Sequence, residues 1–313
     1  MAELRFDGRV AVVTGAGRGL GRAYAQLLAA RGAKVLVNDT GVSIGGASTG
    51  EDPATEVVDA INGSGGEAAA DHHSVAESAG GAAIVEHALD RWGRLDVLVN
   101  NAGAAQIVDS PADITDEGLE LTLRTHLYGC FHTIRRAWPV MTQQGYGRIC
   151  NVSSSTALGV ENSWDYPAAK AGVIGLTRSL AVVGIRDGIT VNALMPMAYT
   201  RPMHSYRNDT VREWMRASFP AEQVAPALAF LVHESVPCTG ETITAGAGRV
   251  ARVCFAVAPG FQKGTEEGTL TIEDVAAHWD TITDESELVV VRTSRDEIAL
   301  YTGEASWDGG GYR

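Results

Sequence analysis

The sequence has little cysteine and no recognisable pattern of metal ligands. Its four cysteines lie far apart, and none belongs to a Cys-X-X-Cys pair. We therefore expect reduced, mostly buried thiols in a reducing compartment. The eight histidines show no His-Glu-X-X-His or other ligand spacing, so no bound metal is expected. The cysteines are Cys130, Cys150, Cys238 and Cys254.

Positive charge is also scarce. The chain carries 25 Lys and Arg residues against 38 Asp and Glu residues, which gives a net charge of −13. Binding to nucleic acid depends on clustered basic side chains, so no nucleic-acid partner is expected. An anionic ligand would need a local basic patch, because the whole chain repels it at long range.

Targeting signals and long hydrophobic runs are the third absence. Residues 1–7 lack the apolar centre of a signal peptide, and residues 311–313 carry no recognisable peroxisomal address. No run of about 18 apolar residues is apparent, which is the length that a membrane span requires. From these absences we expect a cytosolic protein with no membrane partner.

What the sequence does contain is an alternation of short β-branched runs with longer amphipathic stretches. Such alternation is typical of βαβ units and predicts an α/β fold with a doubly wound parallel sheet, Rossmann-like, in three α/β/α layers. Strands are predicted at Arg9–Thr14, Lys34–Asn38, Leu95–Val99, Arg148–Val152, Ile189–Leu194 and, as the last, Glu241–Thr244. Helices are predicted at Leu20–Arg31, Pro53–Asn62, Glu77–Trp92, Asp116–Gln143, Ser163–Val183, Glu222–His233 and Thr271–Thr283.

The domain organisation follows from the regularity of this pattern. Residues 1–250 are expected to form the catalytic domain, and residues 251–313 a C-terminal extension packed on it. The glycine-rich end, Ser306–Arg313, is expected to fray. The segment Thr40–Asp52 is rich in Gly, Ser and Thr, which predicts a mobile loop after the second strand.

A glycine-rich turn joins the first predicted strand to the first helix. Gly15 allows the tight turn, Gly19 lets a pyrophosphate approach the backbone, and Gly21 allows close packing of helix on strand. The unpaired N–H groups of the helix then face the phosphates. A lone glycine triplet is weak evidence, but its place between a strand and a helix predicts dinucleotide binding.

Asp39 ends the second predicted strand, where the ribose of the adenosine would lie. A carboxylate there accepts hydrogen bonds from the ribose hydroxyls and repels the 2′-phosphate of NADP. Arg18 argues the other way, because a guanidinium can pair with that phosphate. We expect NAD rather than NADP. The alternative is that Asp39 is simply an exposed aspartate at the end of a strand, with no contact to a cofactor.

Tyr166 precedes Lys170 by four residues, and both lie near the start of a predicted helix. Positions i and i+4 share a helix face, so the phenol and the ammonium would point into the same space. A nearby cation favours the phenolate and lowers the pKa of the tyrosine. The pair suits the transfer of an alcohol proton, although this spacing alone also occurs by chance on many helices.

The motifs TGxxxGxG, NNAG and YxxxK, at Thr14–Gly21, Asn100–Gly103 and Tyr166–Lys170, resemble those of the short-chain dehydrogenase/reductase family. The resemblance covers most of residues 6–250 and implies a Rossmann-like domain, NAD or NADP, and homodimers or homotetramers. A narrower resemblance is to the (3R)-hydroxyacyl-CoA dehydrogenase domains of multifunctional β-oxidation proteins. It rests on segments such as Arg124–Leu127 and Gly246–Gly248, and extends towards Thr271–Trp279.

The resemblance also implies roles for individual residues. Tyr166 is the expected acid/base, and Lys170 is expected to lower its pKa. The catalytic serine lies among Ser153, Ser154 and Ser155: counting back from Tyr166 gives Ser153, whereas counting along the strand from Arg148 gives Ser154, which we prefer. The expected cofactor contacts are Gly15, Arg18, Gly19, Leu20, Gly21, Asp39, Ser74, Val75, Asn101, Ala102, Gly103, Tyr166, Lys170, Pro196 and Thr200.

Three residues depart from the family pattern. His126 replaces a common asparagine of the proton relay, and is read equally as a relay member or as a packed histidine. Met197 stands where a glycine is common and would narrow the nicotinamide pocket. His73 replaces an aspartate often found near the adenine, which puts that contact in doubt.

The substrate is expected to contact Tyr199–Phe219, which combines apolar residues with Arg201, Arg207, Arg212 and Arg216. This composition suits an acyl-CoA, whose phosphates the arginines could bind. For each arginine taken alone, a place on the solvated basic face of a helix is the favoured interpretation. The expected reaction is NAD-dependent interconversion of a 3-hydroxyacyl-CoA and its 3-ketoacyl-CoA. Alternatives are a steroid or other cyclic alcohol as substrate, and a dinucleotide-binding regulator without turnover. The helices Asp116–Gln143 and Ser163–Val183 are candidates for a subunit interface, or for ordinary core packing.

Overall fold

The computed structural model describes residues 3–104, 108, 110–161, 163–201, 203 and 208–302. The chain divides into two compact units, Met1–Arg252 and Val253–Arg313. This division falls within the strand Arg249–Val253, as does the predicted boundary after residue 250. The packing of the extension on the first unit stays a prediction.

The first unit contains an eight-stranded sheet in the order β3-β2-β1-β4-β5-β6-β7-β8. Its strands are β1 (Val10–Thr14), β2 (Lys34–Asn38), β3 (Glu67–Asp71), β4 (Val97–Asn100), β5 (Gly147–Val152), β6 (Ile189–Pro196), β7 (Thr242–Gly246) and β8 (Arg249–Val253). Its helices are α1 (Gly19–Ala30), α2 (Pro53–Gly63), α3 (Ser78–Trp92), α4 (Asp116–Leu123), α5 (Gly129–Gln144), α6 (Asp165–Gly184), α7 (Asp209–Ser218) and α8 (Ala225–Leu231).

The strand order places the crevice of the sheet beside β1. The strand β1 pairs in parallel with β2 on one side and with β4 on the other. The chain therefore turns outward through β2 and β3, then returns to the other side of β1 for β4. Ligands of open α/β sheets bind at such a switch point, beyond the carboxyl ends of the strands. The predicted Rossmann-like fold is confirmed.

The two faces of the sheet are covered by separate hydrophobic clusters. Ala11 and Val13 belong to one cluster, with residues of α1, α2 and α8, whereas Val10 and Val12 belong to the other, with residues of α3, α5 and α6. Alternate side chains of a strand point to opposite faces. A strand covered on both faces therefore reads as a continuous apolar run, which is why β1 and β2 were predictable.

Three elements differ from the sequence-based expectations. The strand β3 was not predicted, because its sequence, EAAAD, contains no β-branched residue. The long helix expected over Asp116–Gln143 is interrupted by a π-helical turn at Arg124–Tyr128. Glu241–Thr244 is not the last strand, since β8 follows β7 after the two-residue turn Ala247–Gly248.

The helix α6 bears on the expectation about membrane spans, which stays a prediction. The stretch Asp165–Asp187 has the length and mean hydropathy, 1.4, of a membrane-spanning helix. It is the one such stretch among the residues that the structure describes. Buried residues of α6, such as Val173 and Ile174, pack in the fold, so its apolar composition has a second explanation.

The second unit, described up to residue 302, contains a two-stranded antiparallel sheet and short helices. The strands are β9 (Phe255–Val257) and β10 (Val289–Val291), and the helices are α9 (Ile272–Ala277), α10 (Trp279–Ile282) and α11 (Ser294–Thr302). A capping box formed by Thr271 and Asp274 starts α9. The helix expected over Thr271–Thr283 is thus two short helices. Ser306–Arg313 lies outside the described residues.

Candidate active site

Two glycines, one in the turn between β1 and α1 and one in the first turn of α1, have no room for a side chain. Gly15 has a φ of +62°, and a methyl group at this position would lie 2.8 Å from the Cα atom of Ala102. A methyl group on Gly21 would overlap the carbonyl oxygen of Gly15. Both glycines are therefore required by the packing of the turn against α1 and the end of β4.

The amino end of α1 is open to an anion. Arg18 precedes the helix without capping it, and Gly19, Leu20 and Gly21 form its first turn, which contains no acidic residue. The unpaired N–H groups and the helix dipole favour a negative group at this position. The cradle of glycines and the uncapped helix end fit the pyrophosphate of a dinucleotide.

Thr14 and Asn101 fasten the turn to the end of β4. The Thr14 hydroxyl accepts hydrogen bonds from the backbone N–H groups of Asn101 and Ala102, both at 3.0 Å. The Asn101 amide in turn donates to the carbonyl oxygens of Thr14 at 2.9 Å and Gly15 at 3.1 Å. Sequence reasoning did not assign Thr14 a role, although it opens the TGxxxGxG motif.

Asp39 is buried at the end of β2, with a side chain that faces the glycine-rich turn. Its carboxylate accepts hydrogen bonds from the N–H groups of Gly17 and Gly41, both at 2.9 Å. Each bond uses a different oxygen, which leaves further lone pairs for other donors. The carboxylate thus stands where the two ribose hydroxyls of an adenosine could reach it.

Arg18 is held by an acidic partner from the following loop. Its guanidinium forms an ion pair with Glu51, which the sequence interpretation did not single out. The loop Thr40–Asp52 also has bonds of its own, including a bridge between Val42 and Ser48. Arg201 donates to the Val42 carbonyl oxygen at 3.2 Å, and its pKa is lowered by burial and by the charge of Arg18.

Ser74 and Val75 follow the end of β3, on the side of β2 away from β1. The Ser74 hydroxyl accepts a hydrogen bond from the Ala76 N–H group at 3.2 Å. The Val75 carbonyl oxygen lies 2.8 Å from Nδ1 of His132 in α5. The segment is therefore anchored at the carboxyl edge of the sheet, and its contact with adenosine stays a prediction.

The segment after β6 approaches the glycine-rich turn from the other side. The strand ends at Pro196, and the Met197 N–H group donates to the Ala245 carbonyl oxygen at 2.8 Å. A methyl group on Gly19 would lie 3.3 Å from Cγ2 of Thr200. Thr200 therefore borders the turn, which brings the ends of β1 and β6 together.

Tyr166 and Lys170 lie on one face of α6, as predicted from their spacing. The Nζ atom of Lys170 is 5.6 Å from the centre of the Tyr166 ring and donates to the Val152 carbonyl oxygen at 2.6 Å. The start of α6 is fixed by the buried Asp165, which accepts from the Thr122 hydroxyl at 2.7 Å and from the Tyr166 N–H group at 2.8 Å. Asp165 and Thr122 were not foreseen.

Burial shifts the pKa values of this pair in opposite directions. It raises the pKa of Tyr166 above 10.0, and a hydrogen bond with Ser154 only partly opposes the change. Burial also lowers the pKa of Lys170 to about 8. The expectation that the ammonium would lower the tyrosine pKa is therefore not met in this structure, because desolvation by burial is the largest influence on the phenol.

The three adjacent serines occupy different environments. The Ser154 hydroxyl hydrogen-bonds the Tyr166 side chain, and it accepts from the Thr156 hydroxyl at 2.9 Å. Ser153 is buried and donates to the carbonyl oxygen of Lys170 at 2.8 Å. Ser155 begins a short 3₁₀ helix, Ser155–Leu158. Of the first two, Ser154 is the one that the structure joins to the phenol.

His126 lies in the π-helical turn between α4 and α5, and it contacts Tyr166 directly. The two rings are T-shaped, with centres 4.9 Å apart and planes at 77°. Burial, followed by the charge of Lys170, lowers the pKa of His126 well below 6.5, so its imidazole is neutral at pH 7. A methyl group on Gly103 would overlap the imidazole, which explains the need for glycine there.

The expected substrate segment is described in part. The helix α7 carries Trp214, which is 58% exposed and packs edge-on against Phe219 with ring centres 5.3 Å apart. Arg212 pairs with Asp209 at 2.6 Å, and Arg207 lies outside the described residues. The described part therefore presents an exposed aromatic surface, and Arg201 and Arg212 already have protein partners.

Comparisons with known proteins identify the family and the fold to which this site belongs. The family model described as short chain dehydrogenase matches residues 9–212. The chain is 38% identical over 287 residues to the peroxisomal multifunctional enzyme type 2 of Drosophila melanogaster, covering 91% of this chain and 47% of that protein. It is 36% identical over 303 residues to the peroxisomal hydratase-dehydrogenase-epimerase of Neurospora crassa, covering 96% and 33%.

The solved structure of the full-length Drosophila melanogaster enzyme superposes with a TM-score of 0.79 at 33% identity, covering 96% of this chain and 50% of that one. The chain thus spans about half or less of the length of these multifunctional relatives.

Proposed function

This chain belongs to the short-chain dehydrogenase/reductase family, whose members act on CH–OH groups with NAD or NADP, and we propose that it interconverts a 3-hydroxyacyl-CoA and the 3-ketoacyl-CoA with NAD. The contact of Ser154 with Tyr166, beside Lys170, is the observation that carries the proposed chemistry. A bound nicotinamide supplies the hydride donor or acceptor.

The roles of the three side chains follow from their environments. Ser154 holds the reacting oxygen of the substrate next to the Tyr166 hydroxyl. In ketone reduction Tyr166 donates its proton to that oxygen, which suits a phenol whose pKa is raised by burial. In alcohol oxidation Tyr166 accepts the proton as phenolate, and the Lys170 ammonium stabilises that charge.

The preference for NAD over NADP rests on two carboxylates. Asp39 faces the glycine-rich turn, where it would repel a 2′-phosphate. Glu51 pairs with Arg18, so the guanidinium that could bind this phosphate is already engaged. Both observations favour a cofactor without the extra phosphate.

The choice of an acyl-CoA rests on the resemblance to multifunctional β-oxidation proteins and on the named activities of the relatives. The exposed Trp214 and its neighbour Phe219 offer apolar surface for an acyl chain. We do not assign a phosphate contact to Arg201 or Arg212, because both have protein partners.

A substrate panel tests the proposal. Wild-type protein is assayed for NAD reduction with both enantiomers of 3-hydroxyacyl-CoA esters of several chain lengths, and with steroid and other cyclic secondary alcohols. We expect turnover of one acyl-CoA enantiomer, and its loss in Tyr166→Phe with NAD binding retained. Turnover of steroids alone would refute the acyl-CoA assignment. An unchanged function in Tyr166→Phe would favour the regulator without turnover.

We also propose a homodimer or homotetramer. Several large apolar side chains are exposed on or just after α5 and α6: Phe131, Val182, Val183 and Ile185. Neighbouring exposed apolar side chains of this size are a common feature of subunit interfaces. Light scattering of the purified protein tests this, and a monomer at micromolar concentration would contradict it.

The cytosolic location stays a prediction that a fluorescent fusion can check.

A further inference from the structure

Two hydrogen bonds connect the helix α4 to the backbone of Tyr166. The Thr122 hydroxyl, which is fully buried in α4, donates to Oδ2 of Asp165 at 2.7 Å. The other carboxylate oxygen, Oδ1, accepts from the Tyr166 N–H group at 2.8 Å. Asp165 is itself 5% exposed, so both bonds are shielded from water. The chemistry of the proposed reaction uses neither of these two side chains directly.

The start of α6 depends on this carboxylate. The first N–H groups of a helix have no partner within the helix. Trp164, which precedes α6, caps none of them with its side chain, and Asp165 supplies the acceptor for the Tyr166 N–H group. The partial positive charge at the start of a helix also favours a carboxylate there. The orientation of the Tyr166 backbone therefore follows that of Asp165, which Thr122 holds in turn.

The same stretch of chain also meets the ring of Tyr166. The helix α4, which carries Thr122, runs directly into the π-helical turn Arg124–Tyr128, which carries His126. The His126 ring packs edge-on against the phenol ring, with centres 4.9 Å apart. Tyr166 is thus held at two points by one continuous segment, at its N–H group through Asp165 and at its ring through His126.

We propose, on the basis of the function proposed above, that Thr122 and Asp165 are positioning residues for the reaction. Their hydrogen bonds fix the first turn of α6, so that the phenol of Tyr166 faces the Ser154 hydroxyl with which it hydrogen-bonds. Without the Thr122 hydroxyl, the buried carboxylate loses a donor and turns towards another, because an unpaired buried acceptor is costly. The Tyr166 N–H group and the phenol then shift together.

Two pairs of substitutions separate the hydrogen bonds from shape and from charge. Thr122→Val keeps the shape of the side chain and removes the hydroxyl, whereas Thr122→Ser keeps the hydroxyl. Asp165→Ala removes both acceptors, whereas Asp165→Asn removes the charge and keeps both bonds. The asparagine oxygen can accept from the Tyr166 N–H group, and its NH2 group can donate to the Thr122 hydroxyl. The double variant Thr122→Val/Asp165→Ala leaves no buried carboxylate without a donor, which favours a folded protein.

The first measurement is steady-state kinetics with NAD and a 3-hydroxyacyl-CoA, together with the dissociation constant of NAD from calorimetry. We expect kcat to fall by about tenfold or more in Thr122→Val, Asp165→Ala and the double variant, because a misplacement of about 1 Å can cost a factor of about 100. KM and the dissociation constant of NAD should change by less than about twofold, since the lost contacts act on the reacting group alone. Thr122→Ser and Asp165→Asn should keep most of the wild-type kcat.

Thr177→Val is the matched control. Thr177 is also fully buried, and its hydroxyl accepts from the Asn151 amide at 3.0 Å, further along α6. Its removal costs a buried hydrogen bond on the same helix, as Thr122→Val costs one at the helix start. Urea denaturation should therefore show similar losses of stability in the two variants, whereas Thr177→Val should keep its kcat.

A second readout needs no turnover. A fluorinated tyrosine is placed at residue 166, and its fluorine NMR resonance is recorded. We expect the same resonance in wild type, Thr122→Ser and Thr177→Val, and a shifted or split one in Thr122→Val and the double variant. An unchanged resonance or an unchanged kcat in the last two would overturn the inference, as would an equal fall of kcat in Thr122→Ser or Thr177→Val. If wild type turned over no acyl-CoA, the proposed function would fail, and the resonances alone would decide whether Thr122 and Asp165 hold the phenol.

Discussion

The imidazole of His126 stands edge-on to the phenol ring of Tyr166, with ring centres 4.9 Å apart. The contact links the π-helical turn Arg124–Tyr128 to the first turn of α6. The position of the phenol therefore depends on this π-helical turn. Because burial and Lys170 keep the imidazole neutral at pH 7, it adds no charge beside the phenol. We therefore propose that His126 positions the Tyr166 ring.

Gly103→Ala tests this packing. A methyl group on Gly103 overlaps the His126 ring, so the ring must move and Tyr166 loses its edge-on neighbour. We expect kcat to fall by about tenfold or more, since a misplacement of about 1 Å can cost a factor of about 100. Steady-state kinetics of the wild type and the variant give this value. Gly175→Ala in α6, where a methyl group meets no atom within 4 Å, is the control and is expected to keep its activity.

Ser154→Ala and Ser153→Ala separate the two candidate serines. Ser154 hydrogen-bonds Tyr166, so its loss is expected to lower kcat/KM by roughly 100-fold or more. Ser153→Ala removes one hydrogen bond to the carbonyl oxygen of Lys170, which predicts a loss of stability of about 1 kcal/mol and a smaller loss of activity. Steady-state kinetics and urea denaturation of both variants show which serine is catalytic. Retained activity in Ser154→Ala with loss in Ser153→Ala would reverse the assignment.

The buried ammonium of Lys170 makes stability depend on pH. Its pKa is about 8 in the folded protein against 10.5 when exposed, so the unfolded chain binds more protons between these values. The free energy of unfolding therefore rises with pH across this window, by up to about 3 kcal/mol from this group. Relative to Lys170→Met, wild type should gain stability from pH 7 to about pH 10 in urea denaturation. A constant difference would contradict the burial of a charged amine.

Glu51→Gln tests the basis of cofactor choice. The substitution frees the Arg18 guanidinium to pair with a 2′-phosphate, while Asp39 remains in place. We expect the preference for NAD over NADP, measured as the ratio of dissociation constants, to fall by roughly tenfold. The double variant Glu51→Gln/Arg18→Gln should recover most of the preference. An unchanged ratio in the single variant would exclude Arg18 from this role.

Local signals were sufficient to predict the fold, the glycine-rich loop and the helix that carries the YxxxK motif. The strands β1 and β2 are apolar on both faces, and Tyr166 and Lys170 share a helix face because of their spacing alone. Ser154, preferred from the strand register, is the serine that contacts the phenol.

Other features depend on contacts between residues distant in sequence. The ion pair of Arg18 with Glu51 and the contact of Gly103 with His126 cannot be inferred from either residue's neighbours in the chain. The sign of the Tyr166 pKa shift was wrong because the sequence reveals the nearby cation but not the depth of burial. The strand β3 escaped notice because alanine carries no strong preference for strands.

The hydroxyl of Thr14 and the amide of Asn101 have a consequence for protein engineering. They join the glycine-rich turn to the end of β4, while Ala16 and Gly17 join it to the end of β2. If the glycines alone were transplanted into another parallel sheet, the loop would lack the hydrogen bonds that fix its conformation. A functional graft would have to carry a threonine before the first glycine and an asparagine just after the adjacent strand.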